Sequence, residues 1–237
     1  MAVEYKNVKK SYSGSEVLKG VDLKIGRGEF LGLVGANGAG KTTLIKSLLD
    51  FIGIDSGQIN IFGIKNTNPQ SRDKLIFLPE RFVPPYYLKG GDFLKYLAKL
   101  HQIEFDYDKA CNYCKKVGLE PDALSKPVRK YSKGMAQKLG LAGCFMSQKE
   151  LLILDEPMSG LDPMSRVFLK KALADAKESG QTCFFSTHML ADVESVCDRI
   201  AILHKGELSF IGSTAECLDK YKAKDLEQAY LNCVCSQ

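Results

Sequence analysis

A glycine-rich turn that ends in lysine and threonine is the segment best equipped for chemistry. Residues 35–43 read Gly-Ala-Asn-Gly-Ala-Gly-Lys-Thr-Thr, which fits the phosphate-loop pattern G-x-x-x-x-G-K-[ST]. Backbone N–H groups of such a loop point inward, and the following helix presents its positive N-terminal end. Lys41 adds a full charge for the β- and γ-phosphates, and Thr42 is placed to ligate Mg²⁺. The predicted nucleotide-binding residues are Gly35, Ala36, Asn37, Gly38, Ala39, Gly40, Lys41, Thr42 and Thr43.

The alternative is a glycine-rich turn that binds nothing, and its sequence neighbours disfavour that interpretation. Phe30–Val34 forms an apolar run typical of a buried strand. Residues 43–49 carry apolar side chains at helical spacing directly after the loop. A strand, a glycine-rich turn and a helix in this order are the context that a phosphate loop requires.

Acidic residues follow another apolar run further along the chain. Asp155 and Glu156 come directly after residues 151–154. Asp155 is predicted to support Mg²⁺ through water, because that ion prefers hard oxygen ligands. Glu156, one residue on, is predicted to act on the attacking water. The alternative is that Asp155 and Glu156 are simply two solvated acids at the end of a strand, with no role in chemistry.

Two further apolar runs end in residues that can reach the same place. Glu80 follows the run at 74–78, and His188 follows the run at 183–186. Carboxyl ends of parallel strands meet at one edge of a sheet, and ligands bind beyond that edge. We therefore predict that Glu80 and His188 lie at the edge that carries the phosphate loop and that His188 contacts the γ-phosphate, although a lone histidine is more often structural.

The elements that must position these groups are predicted from hydrophobic periodicity. Runs that are apolar on both faces indicate a parallel sheet covered by helices, and hence an α/β fold. Period-two patterning over residues 2–30 and 58–63 predicts an antiparallel layer. Tyr12 lies in a turn-rich segment, where it either stacks on a base or is an ordinary half-buried tyrosine. Residues 81–135 have helical periods broken by glycine and proline, which predicts a helical insert.

A second helix start is predicted at Ser132. This residue is a plausible N-cap for an apolar helical segment over 135–145. The N-terminus of a helix is a ready anion site, so a second place for phosphate is expected here.

Bulk composition limits the class of protein. The chain has 237 residues, of which 45 % are hydrophobic and 26 % are charged. No run approaches the roughly 18 apolar residues that span a bilayer, and no secretion signal is evident, so a cytosolic location is expected. A net charge of +5 is too small and dispersed to predict nucleic-acid binding. Cys111 and Cys114 have C-x-x-C spacing, but no histidine lies nearby in the sequence, so no structural zinc is expected.

Five segments together resemble the nucleotide-binding subunits of ATP-binding cassette (ABC) transporters. They occur in the order and spacing of that family, over about residues 3 to 215. The segments are 35–43, Tyr-Ser-Lys-Gly-Met at 131–135, Leu-Leu-Ile-Leu-Asp-Glu-Pro at 151–157, Ser-Gly-Leu-Asp at 159–162 and Ser-Thr-His at 186–188.

The resemblance implies a RecA-like P-loop NTPase core with an antiparallel β layer and an inserted α-helical lobe. It implies an ABC ATPase domain over residues 1–220, with the lobe at about 81–135, and a short C-terminal helical tail over 221–237. ATP and Mg²⁺ would be sandwiched between two subunits paired head to tail, as a homodimer or with another cassette. The subunit would work at the cytoplasmic face of the membrane with a separately encoded permease.

Residue roles follow from the same resemblance. Tyr12 would stack on adenine, Glu156 would be the general base and His188 the switch histidine. Asp162 would signal across the dimer. The γ-phosphate held by the opposite subunit would be capped by Ser132 and Gly134.

Two departures from the family pattern narrow the resemblance. The usual Leu-Ser-Gly-Gly-Gln is Tyr-Ser-Lys-Gly-Met at residues 131–135, and the glutamine expected after the strand at 74–78 is Glu80. Both resemble the branch that serves simpler exporters. The resemblance implies that Glu80 still reaches metal-bound water and so joins Thr42 and Asp155 at the metal. The alternatives are a soluble ABC-type ATPase acting on nucleic acid or ribosomes, and a P-loop kinase or GTPase. The first usually carries two cassettes or a long coiled coil, and the second lacks the segments at 131–135 and 159–162.

Overall fold

Two β-sheets of different kind carry the fold in the computed structural model, which describes residues 1–235. The strands are β1 Val3–Tyr12, β2 Ser15–Ile25, β3 Phe30–Val34, β4 Ser56–Ile61, β5 Ile64–Lys65, β6 Leu75–Leu78, β7 Leu151–Asp155, β8 Thr182–Thr187, β9 Arg199–His204 and β10 Glu207–Gly212. The α-helices are α1 Lys41–Leu48, α2 Gly90–Leu100, α3 Tyr107–Lys116, α4 Lys133–Met146, α5 Pro163–Glu178, α6 Leu190–Glu194, α7 Thr214–Tyr221 and α8 Leu226–Cys235. Short 3₁₀ turns lie at Pro69–Arg72, Pro121–Ser125 and Val128–Lys130.

The smaller sheet has four strands in the order β2-β1-β4-β5. Its central strand β1 pairs antiparallel with β2 and β4, with Val3 opposite both Ile25 and Ile61. Alternate residues of the sheet, such as Val3 and Tyr5, are buried on one face, as period-two patterning requires. The predicted antiparallel layer is confirmed.

The larger sheet has six strands in the order β10-β9-β3-β8-β7-β6. Strand β3 pairs in parallel with β8 and β9, and β8 pairs in parallel with β7. Every residue of β3, β7 and β8 is buried, because helices and the smaller sheet cover both faces. The carboxyl ends of these three adjacent strands therefore lie side by side. Strand β10, antiparallel at the edge, was absent from the sequence prediction.

A helical lobe is built from α2, α3, two 3₁₀ turns and the first part of α4. Helix α4 runs to Met146, beyond the predicted lobe, and carries the chain from the lobe back to the sheet. Gly140 makes this possible, because a Cβ there would lie 2.6 Å from the Leu78 side chain. The lobe and the large sheet share one hydrophobic core.

The C-terminal segment packs onto the same core. Ser213 and Glu216 form a capping box that starts α7. Helix α8 then buries Leu226, Ala229 and Cys233. Residues 236 and 237 of the predicted tail lie outside the described residues. Among residues 1–235, no helix has the length and apolar content to cross a membrane.

Candidate nucleotide-binding site

The phosphate loop lies between the end of β3 and the start of α1, as predicted. Gly35 has no room for a side chain, because a Cβ would lie 2.5 Å from the Leu203 carbonyl oxygen. Gly40 has φ 109° and lies directly before α1, a conformation that favours glycine. No side chain caps α1, so its first backbone N–H groups remain available to an anion.

A cleft of about 280 Å³ opens beside the loop. It is lined by Tyr12, Val17, Gly38, Gly40, Lys41, Thr42 and Thr43. Tyr12 is the last residue of β1, rather than part of a turn, and the residue is 45 % exposed. The structure therefore brings Tyr12 to the predicted phosphate site, and Lys10 Nζ lies over its ring, 5.3 Å from the ring centroid.

Lys41 is buried at the centre of the site. Its Nζ donates hydrogen bonds to the carbonyl oxygens of Gly35 (2.6 Å) and Ala36 (3.3 Å). The same Nζ lies 3.7 Å from Glu156 Oε1, with both side chains buried. Because a buried charge is costly unless it is paired, these contacts explain how the ammonium group is held between the loop and Glu156.

Asp155 ends β7 and reaches toward α1. The Thr42 hydroxyl donates a hydrogen bond to Asp155 Oδ2 at 3.3 Å. Two oxygen atoms that can ligate a hard metal ion therefore lie close together. Mg²⁺ commonly uses one or two such protein ligands together with waters and substrate phosphates, and this donor set fits that ion. Within residues 1–235, no group of three or more His, Cys, Asp or Glu residues is arranged to hold a metal.

Glu80 is not brought into contact with this pair. It lies two residues beyond β6, is exposed, and has no hydrogen bond or ion pair with another described residue. Its assignment as a metal ligand stays a prediction.

Glu156 has a left-handed backbone, with φ 48°, which is unfavourable for a residue with a side chain. Its N–H donates to the Ser186 carbonyl oxygen at 3.2 Å and to Ser186 Oγ at 3.0 Å. Its Oε2 lies 2.8 Å from His188 Nδ1, within hydrogen-bonding distance. The turn after β7 therefore directs the carboxylate toward Lys41 and His188 together.

Ser186 is the residue that the sequence interpretation missed. It is fully buried on β8, and its hydroxyl donates to Asp155 Oδ1 while accepting from the Glu156 N–H. One side chain thus fixes both acidic residues. The signal was present as the serine two positions before His188, but only the pairing of β7 with β8 brings it to residues 155 and 156.

Ser132, Gly134 and Asp162 form a different surface. Ser132 caps α4 by accepting from the Met135 N–H at 3.1 Å, which confirms the predicted cap. A Cβ at Gly134 would lie 3.1 Å from the Gly160 carbonyl oxygen, so the start of α4 packs on residues 159–162. Among the described residues, no hydrogen bond or ion pair connects Ser132 or Gly134 with the phosphate loop.

Asp162 acts as a helix cap in this chain. Its carboxylate accepts from the Ser165 N–H at 2.9 Å and from the Ser165 hydroxyl at 2.6 Å. These hydrogen bonds lower the pKa of Asp162 to about 2. The cap keeps residues 159–162 in a fixed position next to α4, while the signalling role of Asp162 stays a prediction.

Comparison with known proteins agrees with this geometry. A family model described as ABC transporter matches residues 18–159, which is more than half of the chain. An ABC transporter ATP-binding protein of Synechocystis is 42 % identical over 206 residues, covering 86 % of this chain and 58 % of the relative. The bacitracin transport ATP-binding protein BcrA of Enterococcus faecalis is 36 % identical, covering 87 % and 67 %. The linearmycin resistance ATP-binding protein LnrL of Bacillus subtilis is 31 % identical, covering 90 % and 70 %.

Solved structures give the same result for the fold. An ATP-binding subunit of an ABC transporter superposes with a TM-score of 0.91 at 28 % identity, covering 98 % of this chain and 99 % of the other. A dimeric ATP-binding cassette bound to ADP and Pi superposes with a TM-score of 0.81 at 24 % identity, covering 89 % and 98 %. The predicted RecA-like core with its antiparallel layer and helical lobe is confirmed. The chain spans about three fifths of the length of the first two curated relatives. By sequence and by fold, it belongs to the ABC transporter family, among the ATP-binding proteins.

Proposed function

We propose that this chain binds ATP with Mg²⁺ and hydrolyses it to power export through a separate membrane-spanning partner. The main support for the proposal is that Lys41 and His188 both lie close to the Glu156 carboxylate. That carboxylate lies 3.7 Å from the Lys41 ammonium and 2.8 Å from His188 Nδ1. A phosphate-loop lysine and a histidine around one buried acid fit the cleavage of a phosphoanhydride by water.

In the proposed reaction, a water molecule attacks the γ-phosphorus and its proton passes to Glu156, while the bond from the γ-phosphorus to the bridging oxygen breaks and ADP leaves with that oxygen. Lys41 stabilises negative charge on the phosphate oxygens. His188 orients Glu156 through their hydrogen bond and is placed to contact the γ-phosphate. Thr42 and Asp155 would hold Mg²⁺, which supplies neutralisation of the polyphosphate charge. Tyr12 stacks on the adenine at the edge of the cleft.

Ser186 is proposed to position both acids, so its removal should slow turnover more than it weakens binding. We expect Ser186→Ala to lower kcat about 10-fold, as the loss of one or two buried hydrogen bonds would, with KM for ATP nearly unchanged. Steady-state phosphate release at varied ATP concentration measures both constants. Ser186→Thr, which keeps the hydroxyl, should restore much of kcat. A normal kcat in Ser186→Ala would contradict this role.

The complete site is proposed to form between two copies of the chain. Ser132 and Gly134 lie on a surface separate from the phosphate loop, and the start of a helix there suits an anion. A second copy placed head to tail would bring that surface over the γ-phosphate. A related cassette of known structure is a dimer bound to ADP and Pi, which supports the proposal.

The membrane partner is proposed to contact the helical lobe near residues 80–87. Val83, Tyr86 and Tyr87 are 83 %, 69 % and 73 % exposed in this segment. Relatives named for linearmycin resistance and for bacitracin transport support export as the direction. The chain would then act at the cytoplasmic face of the membrane.

Light scattering tests the shared site. We expect Glu156→Gln with ATP, either Mg-free or with added salt, to double in mass, because bound ATP contributes contacts to both copies and its hydrolysis is blocked. The same variant carrying Lys41→Ala as well should stay monomeric, since it cannot hold ATP. A persistent monomer that still binds ATP would contradict the shared site.

A further inference from the structure

The positive charge of this chain is concentrated in the helical lobe. Residues 81–135 contain eleven basic and six acidic side chains, a formal charge of +5 that equals the net charge of all 237 residues. The rest of the chain is neutral overall. The composition suggested that the positive charge is dispersed along the chain, but it is concentrated in this lobe.

Part of this charge is gathered where two segments of the lobe lie side by side. The backbones of Lys89 and Pro127 form an isolated antiparallel β-bridge. Next to it, the Val128 N–H donates to the Leu88 carbonyl oxygen at 2.8 Å. Further backbone hydrogen bonds join Gly90 to Lys126 and Arg129 to Tyr86. We call the exposed residues of the two segments the basic–aromatic patch. They are Tyr86, Tyr87, Lys89, Lys126, Arg129 and Lys130.

The cations of the patch are free to meet an external anion. Lys89, Lys126, Arg129 and Lys130 are all exposed, and none forms an ion pair with any residue in 1–235. Arg81 and Lys133, which flank the patch along the chain, are exposed and unpaired as well. The acidic residues of the adjoining chain are Glu80, Asp92 and Asp122, too few to neutralise these cations.

Two aromatic rings stand beside this charge. Tyr86 and Tyr87 are largely exposed, with ring centroids 5.6 Å apart. A tyrosine has an apolar ring and a polar tip, the combination that suits the headgroup layer of a membrane. Lysine, by contrast, is depleted from interfaces between proteins. Lys and Arg side chains near a membrane surface are each attracted to anionic lipid by about 1 kcal/mol, and the patch presents four of them.

We infer that the basic–aromatic patch binds the surface of an anionic lipid bilayer. The four lysine and arginine side chains attract lipid phosphates, and the two tyrosine rings enter the headgroup layer. This contact shares Tyr86 and Tyr87 with the proposed contact with a membrane partner, so it is made by the chain on its own and requires neither nucleotide nor that partner. Its test is therefore independent of the proposed ATPase function.

Sedimentation with lipid vesicles tests the inference on the full chain. We expect binding to vesicles made of equal parts phosphatidylglycerol and phosphatidylcholine, and little binding to phosphatidylcholine alone. Binding should weaken steeply as salt rises, because exposed charges are screened. The variant Lys126→Gln, Arg129→Gln, Lys130→Gln should bind on the order of 100-fold more weakly at low salt.

A matched variant controls for total charge. Lys65→Gln, Lys171→Gln, Lys224→Gln removes three exposed cations outside the lobe, which also lack ion pairs in the described chain, and should bind vesicles within a few-fold of the unchanged chain. A thermal melt establishes that each variant is folded. Tyr86→Ser with Tyr87→Ser should weaken the part of the binding that survives added salt.

Several outcomes would overturn the inference. One is equal binding by the patch variant and the control variant. Another is equal binding to charged and uncharged vesicles. Retention of an RNA oligonucleotide without vesicle binding would assign the patch to nucleic acid instead.

Discussion

Replacing Glu156 with glutamine should leave ATP bound and nearly unhydrolysed. Glutamine keeps the size and hydrogen-bonding reach of the side chain but cannot accept the proton of the attacking water. We expect phosphate release to fall by about 10² or more, the usual contribution of a general base, while the affinity for a fluorescent ATP analogue stays within a few-fold. Steady-state phosphate release and equilibrium titration measure the two quantities on the same preparation.

Glu178→Gln is the matched control, because it makes the same change at an exposed position at the end of α5. It should hydrolyse ATP at the unchanged rate. If Glu156→Gln also turns over at that rate, Glu156 is not the base, and its contacts with Lys41 and His188 have another purpose.

Replacing Lys41 with alanine should abolish tight ATP binding. The change removes the charge that faces the phosphates, and it leaves the Gly35 and Ala36 carbonyl oxygens without their donor. It also leaves the buried Glu156 carboxylate without its nearby ammonium group. Since each hydrogen bond to a charged group contributes about 1.5–3 kcal/mol, we expect ATP affinity to fall on the order of 100-fold or more. Equilibrium titration with the fluorescent analogue measures the loss.

Lys46→Ala provides the comparison within the same helix. Lys46 is an exposed residue of α1, so its loss should change neither binding nor turnover. A thermal melt distinguishes a folded Lys41→Ala chain from an unfolded one. Turnover at the unchanged rate in folded Lys41→Ala would refute the assignment of the phosphate site.

The sequence predicted those parts of the site that depend on local order. The buried strand, the glycine-rich turn and the helix at residues 30–49 are contiguous, so pattern and structure agree there. The ends of β7 and β8 were predicted for the same reason, since an apolar run and the polar residue after it are neighbours in the chain. Asp155, Glu156 and His188 consequently appear where they were expected.

The parts that were missed depend on pairing across distance. Nothing near Ser186 in the sequence says that β8 lies next to β7, so its bridge between the two acids was not foreseen. Strand β10 covers the edge of the sheet through its pairing with β9, and its sequence is too mixed to stand out. The left-handed backbone at Glu156 was also hidden, because a glutamate gives no local sign of that conformation, whereas a glycine would.

The distribution of charge was misjudged for a related reason. A total of +5 looks weak when spread over the whole chain, yet residues 81–135 carry all of it. Backbone hydrogen bonds between residues 86–90 and 126–130 then bring cations from two distant segments together. Composition alone contains neither fact.

The left-handed backbone at Glu156 would place stability and the proposed hydrolytic activity under opposite selection. Glycine would adopt the same φ without the cost of roughly 1–2 kcal/mol that a side chain incurs there. A laboratory evolution experiment that rewards heat resistance alone would therefore remove a pressure that keeps glutamate at this position. One that rewards the proposed ATP hydrolysis would restore it. We therefore expect the most heat-resistant variants to carry a different residue at position 156 from the most active variants.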